Sequence, residues 1–125
     1  MRNEAVARGL RAGLEHLRAG AYFAAHEELE LAWRAAAPPE RDFFQGLVHV
    51  AVAWYQAGRG REVGCRRQLE KAERRLSGYA PFHRGVDVAG LLLQVEAARR
   101  LLERGELALE PLRLGSDRPG SEPRR

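Results

Sequence analysis

The feature that most constrains the fold is a segment that is apolar on almost every side. Between residues 40 and 58 the apolar side chains include Phe43, Phe44, Leu47, Val48, Val50, Ala51, Val52, Ala53, Trp54 and Tyr55. A helix with this pattern must be covered by neighbours, so we expect it at the centre of a bundle. Elsewhere apolar residues recur every three or four positions and strand-like alternation is absent. The sequence therefore predicts an all-α fold.

We predict about five helices, at residues 3–19, 21–36, 40–58, 61–76 and 86–104, with Asn3 as the first N-cap. Glycine separates the first helix from the second and the third from the fourth, and proline follows each pair. This weak repeat, with a spacing of about 40 residues, is typical of helical hairpins. We therefore predict two antiparallel hairpins plus a closing C-terminal helix, with the third helix central.

The length of the chain, 125 residues, predicts one domain. We place this helical-bundle domain at residues 1–110. We expect residues 111–125 to form a mobile basic tail, because the sequence has no apolar anchor from Gly115 onward.

Composition excludes several classes of protein. Cys65 is the only cysteine, so an intrachain disulfide and a cysteine-based metal site are excluded, and its place on an apolar stripe predicts a core residue. No apolar run is long enough to span a bilayer, which predicts a cytoplasmic protein without membrane contact. The net charge is +4, but glutamates alternate with the basic residues of the fourth helix. We read that helix as a solvated face and do not expect nucleic acid as a partner.

The second helix contains an ionisable pair within an apolar stripe. His26 and Glu30 lie one turn apart, and a hairpin would turn them toward a polar arc on the third helix. The convergent set is His26, Glu30, Arg41, Gln45 and His49, with Glu27 toward the exposed side of its helix.

Two interpretations of this polar cluster remain open. One is a structural network in which Glu30 pairs with Arg41, because buried charges usually pair. The other is a site, since two histidines and a carboxylate suit a first-row metal or acid–base chemistry. The spacing His-Glu-x-x-Glu lacks the second histidine of the zincin motif, which argues against a metalloprotease. We favour the network and assign neither a metal ligand nor a cofactor.

A second apolar side of the third helix, with Phe44, Val48, Ala51 and Tyr55, bears on assembly. A five-helix domain has too few neighbours to cover both sides, so we expect self-association.

Two segments that follow one another closely in the chain resemble a known family: Phe23-x-x-His26-Glu27-x-x-Glu30-x-x-Trp33-Arg34 and Glu40-Arg41-x-Phe43-x-Gln45-Gly46-Leu47. Together they resemble the domain-of-unknown-function 309 family. The resemblance implies a small all-helical prokaryotic protein with no established activity. Its matched residues here are His26, Glu27, Glu30, Trp33, Arg41, Gln45 and Gly46. Two positions depart from the family pattern, since His49 replaces an expected glutamine and Gln56 an expected histidine.

These observations lead to one functional prediction and one alternative. The prediction is a helical scaffold or interaction domain that self-associates and whose protein partner is unknown. The alternative is a metal-binding protein or small hydrolase-like enzyme centred on His26 and Glu30.

Overall fold

The structure, a computed structural model, describes residues 1–115. Its five helices are α1 (Arg2–Arg18), α2 (Tyr22–Ala35), α3 (Arg41–Gly58), α4 (Glu62–Leu76) and α5 (Val88–Glu103). Short 3-10 helices at Pro38–Glu40 and Ser77–Tyr79 precede α3 and follow α4. Two strands, β1 (Phe82–His83) and β2 (Val86–Asp87), form an antiparallel hairpin before α5. The predicted all-α fold of five helices is confirmed, and the small hairpin is an addition to it.

Two helical hairpins and a central helix organise the bundle. The most extensive helix contacts join α1 to α2, α3 to α4, and α2 to α3, while α5 packs on α4. Gly20 and Gly60 have φ of 76° and 73° in the two hairpin turns. A side chain would be strained in that conformation, so glycine permits both reversals.

The core is centred on α3, as the apolar pattern predicted. Phe43, Phe44, Leu47 and Val50 are each 0% exposed, and no polar or charged residue is fully buried within residues 1–115. Gly46 lets α4 approach closely, because a Cβ built there would lie 2.5 Å from Cγ of Leu76. None of the described helices has the length and apolarity needed to cross a membrane.

Two predicted helix starts are corrected by the structure. Asn3 is not an N-cap, because α1 already begins at Arg2 and Asn3 lies in its first turn. The fifth helix begins at Val88 rather than at residue 86, because Asp87 caps it by accepting a 2.8 Å hydrogen bond from the Gly90 amide. Both residues of the hairpin turn, Arg84 and Gly85, have positive φ, as a type I′ turn requires.

The chain after α5 continues along the bundle beyond the boundary predicted at residue 110. Trp54 Nε1 donates a hydrogen bond to the Glu110 carbonyl, Leu112 is only 5% exposed, and Gln94 bonds both backbone groups of Arg113. Residues 111–115 therefore pack with the domain. Residues 116–125 lie outside the described part, where the mobile tail stays a prediction.

Candidate functional site

On α2, the predicted pair of His26 and Glu30 forms a local chain of contacts. His26 Nε2 lies 3.4 Å from Glu30 Oε1, and Arg34 donates to Glu30 Oε2 at 3.3 Å. The His26 ring also packs on Phe23, with 5.5 Å between centroids. All of these partners lie three or four residues apart on one helix, so α2 satisfies Glu30 by itself.

The predicted pairing of Glu30 with Arg41 is wrong. Arg41 is exposed at the start of α3, and its guanidinium lies 4.8 Å from the centroid of the Trp33 ring. The antiparallel packing of α2 on α3 brings Phe23 beside Tyr55 at one end and Trp33 beside Arg41 at the other. Arg41 therefore stacks on the aromatic ring at its own level, whereas Arg34, one turn from Glu30, takes the carboxylate.

His49 belongs to a different seam, between α3 and α4. Asp42, His49 and Gln56 recur every seven residues along α3. Asp42 Oδ1 accepts from Arg75 at 2.7 Å, and Nδ1 of His49 lies 2.7 Å from Oε1 of Gln68. Gln56 packs against the backbone of Gly64, where a Cβ would lie 3.3 Å from Cδ of Gln56.

The side chain of His49 is held against α4 by one hydrogen bond. Its Nδ1 is bonded to the side-chain amide of Gln68, and its Nε2 is buried without a partner in the described chain. Burial lowers the pKa of His49 below its usual value. The positive charges of Lys71, Arg75 and Arg74 lower this pKa further, whereas the hydrogen bond to Gln68 raises it. The ring is therefore neutral at neutral pH.

The predicted five-residue cluster is thus split between two seams. His26, Glu30 and Arg41 lie on the α2 side of α3, His49 lies on the α4 side, and Gln45 is partly exposed on the helix between them. Glu27 is exposed, as the helical wheel predicted. Across the described chain, no three His, Cys, Asp or Glu side chains converge as a metal-binding group.

A second polar cluster joins Glu40 to the β-hairpin. Glu40 Oε2 accepts from Arg84 Nε at 2.6 Å and lies 2.7 Å from His83 Nε2, while Glu40 Oε1 accepts from Arg84 at 2.8 Å. The His83 ring packs on Phe43 and Tyr79. His83 is therefore held in a network with Glu40, Phe43 and Tyr79. Its signal in the sequence was weak, because Glu40 and His83 are separated by 43 positions in the chain and only the tertiary fold brings them together.

Five polar atoms are buried in the described chain without a hydrogen-bond partner: His26 Nδ1, Trp33 Nε1, His49 Nε2, Gln56 Oε1 and Arg75 Nε. Every one lies on α2, α3 or α4. Buried polar groups normally have a hydrogen-bond partner. We therefore regard the solvent-facing side of α2, α3 and α4 as the candidate functional surface. We call it the outer face; on α3 it contains Gln45, Val48, His49, Val52 and Tyr55, all partly exposed.

Two surface cavities lie away from the predicted cluster. One, of about 280 Å³, is lined by Trp54, Leu93, Gln94 and Ala98 between α5 and the C-terminal segment. The other, of about 570 Å³ and open, is lined by Tyr22, Phe23, Tyr55 and Arg59. Neither contains His26, Glu30 or His49.

The fold and these clusters define a small helical domain whose outer face carries both polar and apolar side chains. The family model described as "Domain of unknown function (DUF309)" matches residues 10–68. The resemblance found in the sequence is thereby confirmed over α2, α3 and parts of α1 and α4. No curated protein and no solved structure matches the chain.

Proposed function

We propose that this chain is a helical interaction domain that self-associates through its outer face. The supporting observation is an apolar strip that the domain itself leaves partly uncovered. Val48, Val52 and Tyr55 are partly exposed along α3, and Phe23, which packs on Tyr55, is 50% exposed. A contiguous apolar surface rimmed by polar residues is typical of an interface.

Charge complementarity favours a second copy as the occupant. Glu27 on α2 and Arg67 on α4 are exposed, and neither forms an ion pair within residues 1–115. The contacts of α2 and of α4 with α3 place both at about the level of Val50, on opposite sides of the central helix. A two-fold axis parallel to α3 therefore brings Glu27 of each protomer opposite Arg67 of the other.

The experiment compares oligomeric state by light scattering after size exclusion. Val52→Glu places a charge in the apolar strip and is expected to give a monomer. Leu93→Glu is the matched control, because Leu93 is 73% exposed on α5 and lies away from the strip. A wild-type protein that is monomeric at all accessible concentrations would contradict the proposal.

A charge exchange tests the arrangement of the two copies. Glu27→Arg and Arg67→Glu are each expected to weaken association, because each brings like charges together. The double variant restores opposite charges and is expected to recover the affinity. If the loss of association free energy in the double variant equals the sum of the losses in the two single variants, the proposed two-fold arrangement is wrong.

The alternative function is a metal-binding protein or small enzyme at His26 and Glu30. One observation favours it: the two side chains face each other at 3.4 Å, and their exposed fractions are 27% and 35%. Elemental analysis of untagged protein tests it. Stoichiometric metal that is lost in a folded His26→Ala variant would support this alternative over the scaffold.

A further inference from the structure

We propose that the cavity between α5 and the C-terminal segment, residues 106–115, binds the alkyl chain of a small uncharged amphiphile. The cavity has a volume of about 280 Å³. Trp54 is its lining residue on α3, and this residue is not part of the outer face. The inference therefore does not depend on the proposed self-association.

The wall that α5 contributes is long and mostly apolar. Leu93, Ala97 and Leu101 line the cavity on successive turns, and Gly90 extends the lining toward the start of the helix. At a rise of 1.5 Å per residue, the stretch from Gly90 to Leu101 is about 16 Å long. A volume of about 280 Å³ spread along this stretch leaves a narrow cross-section. Such a shape suits an unbranched alkyl chain.

The polar side chains of the lining already have partners. Trp54 Nε1 donates to the Glu110 carbonyl at 2.8 Å. Gln94 accepts from the amide of Arg113 and donates to its carbonyl, both at 2.8 Å. None of the five buried polar atoms without a partner belongs to a residue that lines this cavity. Water inside therefore finds few hydrogen-bond partners, which favours an apolar ligand.

Hydrogen bonds within the chain fix the walls of the cavity. The bonds from Trp54 and Gln94 hold the C-terminal segment at two places. Between them Leu112 is only 5% exposed, and its amide bonds to the Tyr22 hydroxyl at 3.4 Å. A ligand does not have to order this segment in order to bind, so little binding free energy is lost to that cost.

The charges at the cavity favour an uncharged head group. Glu110 and Arg113 are the charged residues that line it, and both are exposed. Because their charges are opposite, they leave no net charge that would select an anion or a cation. Both side chains can still form a hydrogen bond with a hydroxyl group. An alkyl chain that ends in a hydroxyl therefore fits both the wall and the mouth.

The first test is titration with linear primary alcohols from butanol to octanol. Binding is followed by calorimetry, and by the emission of Trp54 in a Trp33→Phe variant, which leaves Trp54 as the one tryptophan. We expect one molecule to bind per chain, with affinity rising about fourfold for each added methylene, as burial of apolar surface predicts. Affinity that does not rise with chain length would overturn the proposal.

Quenching by bromine locates the ligand. Bromooctanol, with the bromine on the last carbon, is expected to quench Trp54 in the Trp33→Phe variant. It should leave the emission of the Trp54→Phe variant nearly unchanged, because Trp33 lies beside Arg41 at the other end of α3. Equal quenching in the two variants would place the ligand outside this cavity and contradict the site.

A substitution that fills the cavity tests the wall. Ala97→Leu is expected to weaken octanol binding by about tenfold or more, because extra methyl groups in an occupied space are costly. Ala7→Leu is the matched control, since Ala7 is also an exposed alanine on a helix but does not line the cavity. Leucine is a good helix former, so helicity by circular dichroism should stay the same in both. Equal octanol affinity in the two variants would overturn the proposal.

Ligands that differ only at the head group test the role of charge. Octanol, octanoate and octylammonium have chains of the same length. We expect neither ion to bind more tightly than octanol, because the charges of Glu110 and Arg113 oppose one another. Clearly tighter binding of octanoate would show that Arg113 selects an anion, and tighter binding of octylammonium would assign a cation to Glu110. Either result would contradict an uncharged ligand.

Vesicles of phosphatidylcholine separate a free amphiphile from a membrane lipid. The cavity is walled by α5 on one side and by the C-terminal segment on the other, so an alkyl chain must leave its bilayer to enter. We therefore expect the protein not to sediment with the vesicles while it still binds octanol. Sedimentation that Ala97→Leu abolishes would assign the cavity to a membrane lipid and overturn the proposal of a free ligand.

Discussion

Glu40 and Arg84 form a two-pronged ion pair that fastens the β-hairpin to the start of the central helix. Arg84 Nε and a terminal nitrogen donate to the two carboxylate oxygens of Glu40 at 2.6 and 2.8 Å. These bonds, with that of His83, lower the pKa of Glu40 to about 2 despite its partial burial, and the pKa of Arg84 is raised. Arg84 has a φ of 49° in the hairpin turn, and its guanidinium also lies 5.7 Å from the centroid of the Phe44 ring on α3.

The lowered pKa of Glu40 predicts acid-sensitive stability. In the unfolded chain Glu40 titrates near 4.5, whereas in the folded chain it titrates near 2. The stabilisation is therefore fully present above about pH 5 and is lost as the pH falls toward 2. We expect Glu40→Gln to cost about 1–3 kcal/mol at neutral pH and less in acid. Denaturant unfolding of both proteins across this pH range measures the difference.

Glu103→Gln is the matched control for this titration, because Glu103 is exposed and has no ion-pair partner in the described chain. It is expected to follow the wild-type curve. If the difference in unfolding free energy between Glu40→Gln and wild type is the same at neutral and acid pH, the ionised carboxylate of Glu40 does not stabilise the fold.

Much of the fold could be predicted because helix formation and burial follow local patterns. The apolar surface of α3 placed Leu47 and Val50 in the core, and Gly20 marked a real turn. The site was harder, because contacts between helices depend on side-chain direction. Arg41 and His49 are two turns apart but differ by about 80° around the helix, enough to place them on opposite seams. Glu40 and His83 could be joined only by knowing the tertiary fold.

Because Glu30 does not pair with Arg41, its substitution is expected to have only a small effect on stability. Glu30 is partly exposed, and its partners, His26 and Arg34, are neighbours on the same helix. Exposed pairs of this kind contribute little, so Glu30→Gln is expected to lower stability by about 0.2–1 kcal/mol. Thermal and denaturant unfolding measure this value. A loss of several kcal/mol would mean that Glu30 has a buried charged partner after all.

Gly46→Ala is expected to separate α3 from α4. The added Cβ would lie 2.5 Å from Cγ and 2.7 Å from a methyl carbon of Leu76, which is 0% exposed in the core. Overpacking of this kind costs about 1–3 kcal/mol. Gly58→Ala is the control, because nothing lies within 4 Å of its Cβ position. Equal stability of the two variants would show that the close helix contact is not required.

Cys65 is expected to be inert in the folded protein. It is 0% exposed on α4, and burial raises its pKa to about 11, partly opposed by the charge of Arg66. Because the thiolate is the reactive form, both access and ionisation are suppressed at about pH 8. A thiol reagent should therefore label Cys65 only as fast as the protein unfolds, and denaturant should make labelling complete within the mixing time. Labelling of native protein at the rate of a free thiol would show that Cys65 is accessible, and it would reopen a chemical role for this residue.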